Sequence, residues 1–139
     1  MNELPEIVFS NWKLWSERAR FDHLGEPGVY ILARFEKSPR EKANPLSKQV
    51  IYIGETCDQT LKQRWQQFHR AAFLGKHGHS GGASYRAIFA DDGKSLYAAI
   101  FPLGRATPPL QSLLIRHVER KLILDYALKW GKPPICNSK

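Results

Sequence analysis

Apolar positions along the chain alternate between short β-like runs and helical stripes. The β-branched and aromatic run Val29-Tyr30-Ile31-Leu32-Ala33-Arg34-Phe35, entered through Gly25-Glu26-Pro27-Gly28, predicts a strand. Gln49-Val50-Ile51-Tyr52-Ile53-Gly54 predicts a second, and the run from Ser95 to Phe101 a third that Pro102 ends. Between the first two, residues 36–48 are polar and carry Pro39, Asn44 and Pro45. That stretch is too short and too broken for a crossover helix, so the two strands are expected to pair as an antiparallel hairpin.

Helical periodicity takes over downstream. Leu61, Trp65, Phe68 and Ala72 mark the stripe of a core-facing helix, capped by Asp58 or Thr60 and ended by Gly75. Tyr85, Ile88 and Phe89, behind a Ser80 cap and before Asp92-Gly93, favour a short helix over a strand. Leu110, Leu114, Val118, Leu122 and Tyr126 recur every fourth residue, from a Thr107 cap with Pro108 in the first helical position to Gly131. Near the N-terminus, Trp12, Trp15 and Ala19 behind Ser10 and Asn11 predict another short helix. The expected fold is α/β in the α+β sense: a small three-stranded, mainly antiparallel sheet flanked by helices. It spans residues 27–139, with residues 1–26 as a helical extension packed on the body.

Composition narrows the class. At 139 residues, 42% apolar and 24% charged, the chain holds one core, and a disordered chain or a fibrous rod is excluded. No apolar run approaches the ~20 residues of a membrane span. The first six residues lack the basic lead and apolar stretch of a secretory signal, so a cytoplasmic location is expected. Cys57 and Cys136 have no CxxC spacing and are expected as reduced thiols.

The formal charge of +8 is unevenly placed. Residues 1–58 hold 8 Lys/Arg against 9 Asp/Glu, whereas residues 59–139 hold 13 against 4. No acidic residue occurs from Gln59 to Ala90, a segment carrying Lys62, Arg64, Arg70, Lys76 and Arg86 together with His69, His77 and His79. Such a segment suits a polyanion, because neutralising phosphates releases counterions. Charge alone leaves nucleic acid, anionic lipid and a merely basic surface as alternatives.

Gly28-Val29-Tyr30 in the first strand and Tyr52-Ile53-Gly54 in the second bring a family into view. The pair resembles the two tripeptides of the GIY-YIG nucleases. Arg64 follows on the next helix, where family members carry an arginine. The stretch Glu119 to Leu124 and the closing Pro134-Ile135-Cys136-Asn137 resemble the family's glutamate-bearing helix and its Pro-x-x-Asn. These landmarks run from about Pro27 to the C-terminus.

The resemblance implies an endonuclease that hydrolyses DNA phosphodiester bonds with one divalent cation, Mg²⁺ or Mn²⁺. Tyr30 and Tyr52 would line the active site, with Tyr52 as candidate general base, while Asn137 orients by hydrogen bonding. The residue types suit that chemistry. Arg64 can grip a phosphate bidentately. Glu119, a carboxylate one helical turn from Ile115 and Ile123, is costly to bury unless paired or bound to a cation. A phenol with its ordinary pKa of ~10 needs cationic neighbours to act as a base, a role open to Arg64 or the metal.

Two positions depart from the family pattern. Members commonly carry His or Tyr four residues after the helix arginine; Phe68 stands there and His69 follows, rotated by ~100° around the helix. His69 is a candidate catalytic residue if the helix ends or bulges there, and His77 and His79 are substitutes from the Gly-rich loop. Glu55 occupies the place where the excision-repair branch carries a lysine, as a second metal contact or a sign of a different alignment. The loop from His77 to Gly82 matches no structural-zinc spacing and reads as a close approach to a nucleic-acid backbone or as a plain turn.

Expected nucleic-acid contacts are Lys62, Arg70, Lys76, His79 and Arg86, with Arg40 and Lys42 in the long loop. The partner is DNA, with RNA also open, and no membrane. A chain of this length has little room for a reader of sequence, so targeting would come from DNA structure, a protein partner or a homodimer. The alternative is a non-catalytic nucleic-acid-binding module on the same fold.

Overall fold

The central strand of the sheet is apolar on both faces, and the rest of the chain is arranged to cover them. A computed structural model describes residues 4–137. Its strands are β1 (Lys13–Leu14), β2 (Gly28–Arg34), β3 (Val50–Thr56) and β4 (Leu96–Pro102), in the antiparallel order β1-β4-β2-β3. Its helices are α1 (Leu61–Leu74), α2 (Ser80–Ile88) and α3 (Leu110–Trp130).

Residues Gly28 to Ala33 of β2 are all buried, which accounts for a continuous apolar run in place of alternation. Tyr30 and Leu32 face one layer, where Leu61, Trp65 and Phe68 of α1 and Tyr85 of α2 complete the packing. Val29, Ile31 and Ala33 face the other, covered by Ile115, Val118, Leu122 and Tyr126 of α3.

The predicted hairpin forms, with Tyr30 opposite Gly54 and Leu32 opposite Tyr52 before a register shift at Ala33. The four buried positions of the α1 stripe are as expected. Thr60 rather than Asp58 caps α1 in a reciprocal box: Gln63 N–H donates to Thr60 Oγ1 at 3.1 Å and Thr60 N–H to Gln63 Oε1 at 3.0 Å. Thr60→Ala is therefore expected to destabilise the protein by about 1 kcal/mol, read from urea unfolding. Gly75 ends the helix at φ 66°, where a side chain would be strained.

Several expectations need correction. The sheet has four strands, not three. Lys13 and Leu14 pair with Ala98 and Tyr97, and a two-residue strand is too short to show periodicity. The N-terminal helix is a six-residue 3₁₀ segment, Trp15–Arg20, in which only Trp15 is buried. α2 forms, but its cap is His79 and not Ser80. α3 begins at Leu110, after Pro109, without a side-chain cap. Leu110, expected in the core stripe, is exposed, and Ile115 is buried beside Val118. No helix among the described residues is long and apolar enough to cross a membrane.

Candidate active site

Five elements bring polar side chains to one end of the β2–β3 hairpin. Tyr30 and Tyr52 lie on the same sheet face with ring centroids 6.0 Å apart. Two glycines make room for them. A Cβ at Gly54 would sit 2.5 Å from Tyr30 Cζ, and one at Gly81 in α2 would sit 2.5 Å from Tyr52 Cε1. Gly54 is thus fixed by the ring directly across the ladder, and Gly81 by the approach of α2 to Tyr52.

His79 joins this pair from the N-terminus of α2. Its Nδ1 accepts the Gly82 N–H at 3.1 Å. A backbone N–H can only donate, so Nε2 carries the ring proton and donates it to Tyr30 Oη at 2.9 Å. Burial, and then the nearby Arg64 guanidinium, lowers the imidazole pKa to about 3 and keeps the ring neutral. Tyr30 is fully buried, and burial followed by the Tyr52 phenol raises its pKa well above the ordinary value. Its hydroxyl lies beside Tyr52 and favours ionisation there.

Tyr52 is where the charges meet. Burial raises its pKa, Arg64 opposes the rise, and Glu119 and Glu55 add to it. The sequence expectation was that cations would bring this phenol down. In the free protein burial outweighs Arg64, and the phenol is neutral at pH 7.

Arg64 holds one amino group against its own helix and the following loop, with Nη1 donating to Gln67 Oε1 at 2.7 Å and to the Gly78 carbonyl at 3.3 Å. Glu119, on α3, is near enough for its charge to act on Tyr52. Burial first, then Glu55, raises its pKa to about 7, with Arg120 acting in the other direction. Glu55 accepts the Cys57 thiol proton at 2.9 Å, and the thiol is pushed up to about 12 by burial and by Glu55.

Among the described residues no three His, Cys, Asp or Glu side chains gather as a metal cage. Burial and the neighbouring Glu55 outweigh Arg120 at Glu119, so a further positive charge between the two carboxylates would be favourable. Such a donor set fits a hard, oxygen-preferring cation whose remaining ligands are water and phosphate.

Asn137 makes its hydrogen bonds to the backbone of β3. Its Oδ1 accepts the Ile53 N–H at 2.9 Å, and its Nδ2 donates to the Ile53 carbonyl at 2.9 Å. Cys136 N–H donates to the Ile51 carbonyl at 2.8 Å. Since β3 is an edge strand, the C-terminal segment supplies bonds that a further strand would have made. Asn137 therefore fixes the strand bearing Tyr52. Asn137→Ala should destabilise the fold by about 1–3 kcal/mol by stripping Ile53 of both partners, measured by chemical denaturation.

His69 does not join the cluster. It lies on another flank of α1, where Trp15 Nε1 donates to its Nδ1 at 3.0 Å and the two rings stack. Burial and then Arg18 lower its pKa. The histidine clips the 3₁₀ segment to α1, as the one-residue rotation from Phe68 requires. His79 contacts Tyr30 instead. Being 4% exposed, it is not a surface contact for phosphate, unlike its earlier reading. Lys62, Arg70, Lys76, Arg86, Arg40 and Lys42 are all exposed. Sequence reasoning missed the roles of Gly81 and of His79 as partner to Tyr30, although a histidine before Ser-Gly-Gly is a legible helix start.

Comparison with family models, curated proteins and solved structures gave no match.

Proposed function

We propose that Tyr30, Tyr52, Arg64, His79 and Glu119 form the active site of a GIY-YIG-type endonuclease that hydrolyses DNA phosphodiester bonds with one Mg²⁺ or Mn²⁺. The observation carrying this reading is the packing of Tyr30 and Tyr52 on one sheet face, with the Tyr30 hydroxyl held by His79 at 2.9 Å and Arg64 bonded to the loop that precedes His79. Arg64 neutralises the phosphoryl oxygens of the scissile group. Tyr52, neutral in the free protein, first releases its phenol proton to solvent, an ionisation that Arg64 and a bound cation would favour, and as phenolate takes the proton of the attacking water. His79 polarises Tyr30 from behind through its Nε2–H. The water oxygen bonds to phosphorus as the phosphorus–oxygen bond to the leaving strand breaks, and that oxygen departs with a proton from solvent. Glu119 would hold the cation, which when bound supplies positive charge to the phosphoryl oxygens. The exposed basic residues of α1 and α2 give the DNA backbone a counter-surface.

A second reading, a nucleic-acid-binding module without chemistry, is favoured by the raised pKa of Tyr52, which makes the phenol a weaker base. Purified protein incubated with branched and linear DNA in Mg²⁺ or Mn²⁺ separates the two. Nicking by wild type that is lost in chelator and in Glu119→Ala supports the nuclease. Salt-dependent binding with intact substrate supports the module, and equal cutting by wild type and variant removes the catalytic reading.

A further inference from the structure

α3 is apolar on two faces, and only one of them is used by the fold. Ile115, Val118, Leu122 and Tyr126 are buried against the sheet. On the far side Leu110, Leu113, Leu124 and Leu128 stand 59%, 62%, 58% and 75% exposed. A solvent-facing helix surface is ordinarily polar. Here positions 110, 113, 117, 120 and 124 are spaced by three and four, the a/d spacing of a helix seam.

Leucines occupy both ends of this seam. Its middle is held by His117 and Arg120, both exposed, with Arg116 and Lys121 flanking them. Asp125 is the neighbouring carboxylate on α3, and it is already paired with Lys121 Nζ at 2.5 Å. A second copy of the chain is a poor occupant. A two-fold pairing would bring Arg116 and Arg120 of both copies together at its centre, and like charges across an interface are repulsive. A nucleic-acid strand would use the cations and leave the leucines in water.

We propose that the outer face of α3 docks an amphipathic helix of a partner protein, one with aliphatic residues toward both ends and Asp or Glu at its centre. Leucines then meet aliphatic side chains, and the central arginines, Arg116 and Arg120, meet carboxylates. Glu119 is half-buried on another side of α3, so the docked helix leaves the tyrosine cluster open. The surface thus attaches the domain to a partner without competing for its substrate, whatever the cluster's chemistry.

The test uses a labelled helical peptide matching α3 in length, with leucines at the outer seam positions and glutamates at the central ones, titrated into the full chain by fluorescence anisotropy. A twin peptide carries lysines at the centre. The acidic peptide should bind with a micromolar Kd that weakens as salt is raised, and the lysine twin at least about 10-fold more weakly. Leu113→Ser and Leu124→Ser should each lower affinity about 10-fold, and Arg120→Glu should reverse the preference between the peptides. All three residues are exposed, and near-UV circular dichroism verifies the fold; Leu128→Ser gives a fourth variant. Equal binding of the two peptides, or binding of neither, overturns the proposal. It is also overturned by a sedimenting dimer that Leu124→Ser disperses, or by flotation with phosphatidylglycerol vesicles that the same substitution abolishes.

Discussion

Glu119→Gln is expected to raise the stability of the cation-free protein at pH 8 and to abolish its metal-dependent DNA cleavage. The carboxyl has a folded pKa of about 7 against an ordinary 4.5, chiefly from burial and then from Glu55. Because the folded value is raised, the native state holds a proton that the unfolded chain has released. The resulting stability is complete below the unfolded pKa and is lost as pH rises through 7. At pH 8 the charged carboxylate destabilises the fold by about 1–2 kcal/mol, after allowance for its partial exposure. Glutamine carries no charge, so Tm at pH 8 in chelator should rise by about 3–8 °C. At pH 4.5 the advantage should nearly vanish. Cleavage should fall at least about 10³-fold, as expected when charge stabilisation of several kcal/mol is removed. Calorimetric scans at both pH values, with a nicking assay on the same preparation, measure both halves. An unchanged Tm at pH 8 would contradict the burial argument, and retained nicking would contradict the assignment.

The second large effect concerns His79. In His79→Asn the short amide can still accept the Gly82 N–H and cap α2, but it is too short to reach Tyr30. A buried hydroxyl then loses its donor and a small cavity opens. Stability should drop by about 1–3 kcal/mol, and cleavage by about 10–100-fold as Tyr52 loses support through Tyr30. His79→Ala removes the cap as well and should be worse in stability by about 1 kcal/mol.

The histidine also sets a pH dependence. Its folded pKa, about 3, lies below the ordinary 6.5, so its contribution is present above pH 6.5 and is lost as pH falls toward 3. Between pH 7.5 and 5 it amounts to about 2 kcal/mol. Glu119 has the opposite sign over much of that range and partly masks it in wild type. The acid sensitivity should therefore be steepest in Glu119→Gln and reduced in Glu119→Gln/His79→Asn, as read from urea midpoints along a pH series. A double variant as acid-sensitive as Glu119→Gln would show that another group is responsible.

What could be read in advance follows the physics of each signal. β2 and β3 were legible because both strands are dense in β-branched and aromatic residues, and α1 because its stripe is regular. The placement of Tyr30 and Tyr52 on one face followed from the hairpin. β1 was not legible, since two residues carry no period and its partner strand lies more than eighty residues away. The cores of α1 and α3 were largely anticipated, but the first turn of α3 was displaced by Pro108-Pro109, leaving Leu110 in solvent.

At the site, Arg64 lies on α1 and Glu119 on α3. The histidine was the failure. His69 and His79 differ in sequence only by context: the indole of Trp15 holds the first, and the second caps the start of α2 through the Gly82 N–H. Asn137 entered through the resemblance of Pro134-Ile135-Cys136-Asn137 to the family's closing motif, as an orienting residue. Its two bonds to Ile53 show it completing a sheet edge.

The most direct measurement of the central claim is anomalous scattering from crystals of the protein grown with Mn²⁺ and a short DNA duplex. The account predicts a single strong peak within coordination distance of the Glu119 carboxylate, with a backbone phosphate between it and the Arg64 guanidinium and Tyr52 Oη facing that phosphorus. A cation bound elsewhere, or a phosphate seated away from Tyr52 and Arg64, would contradict it.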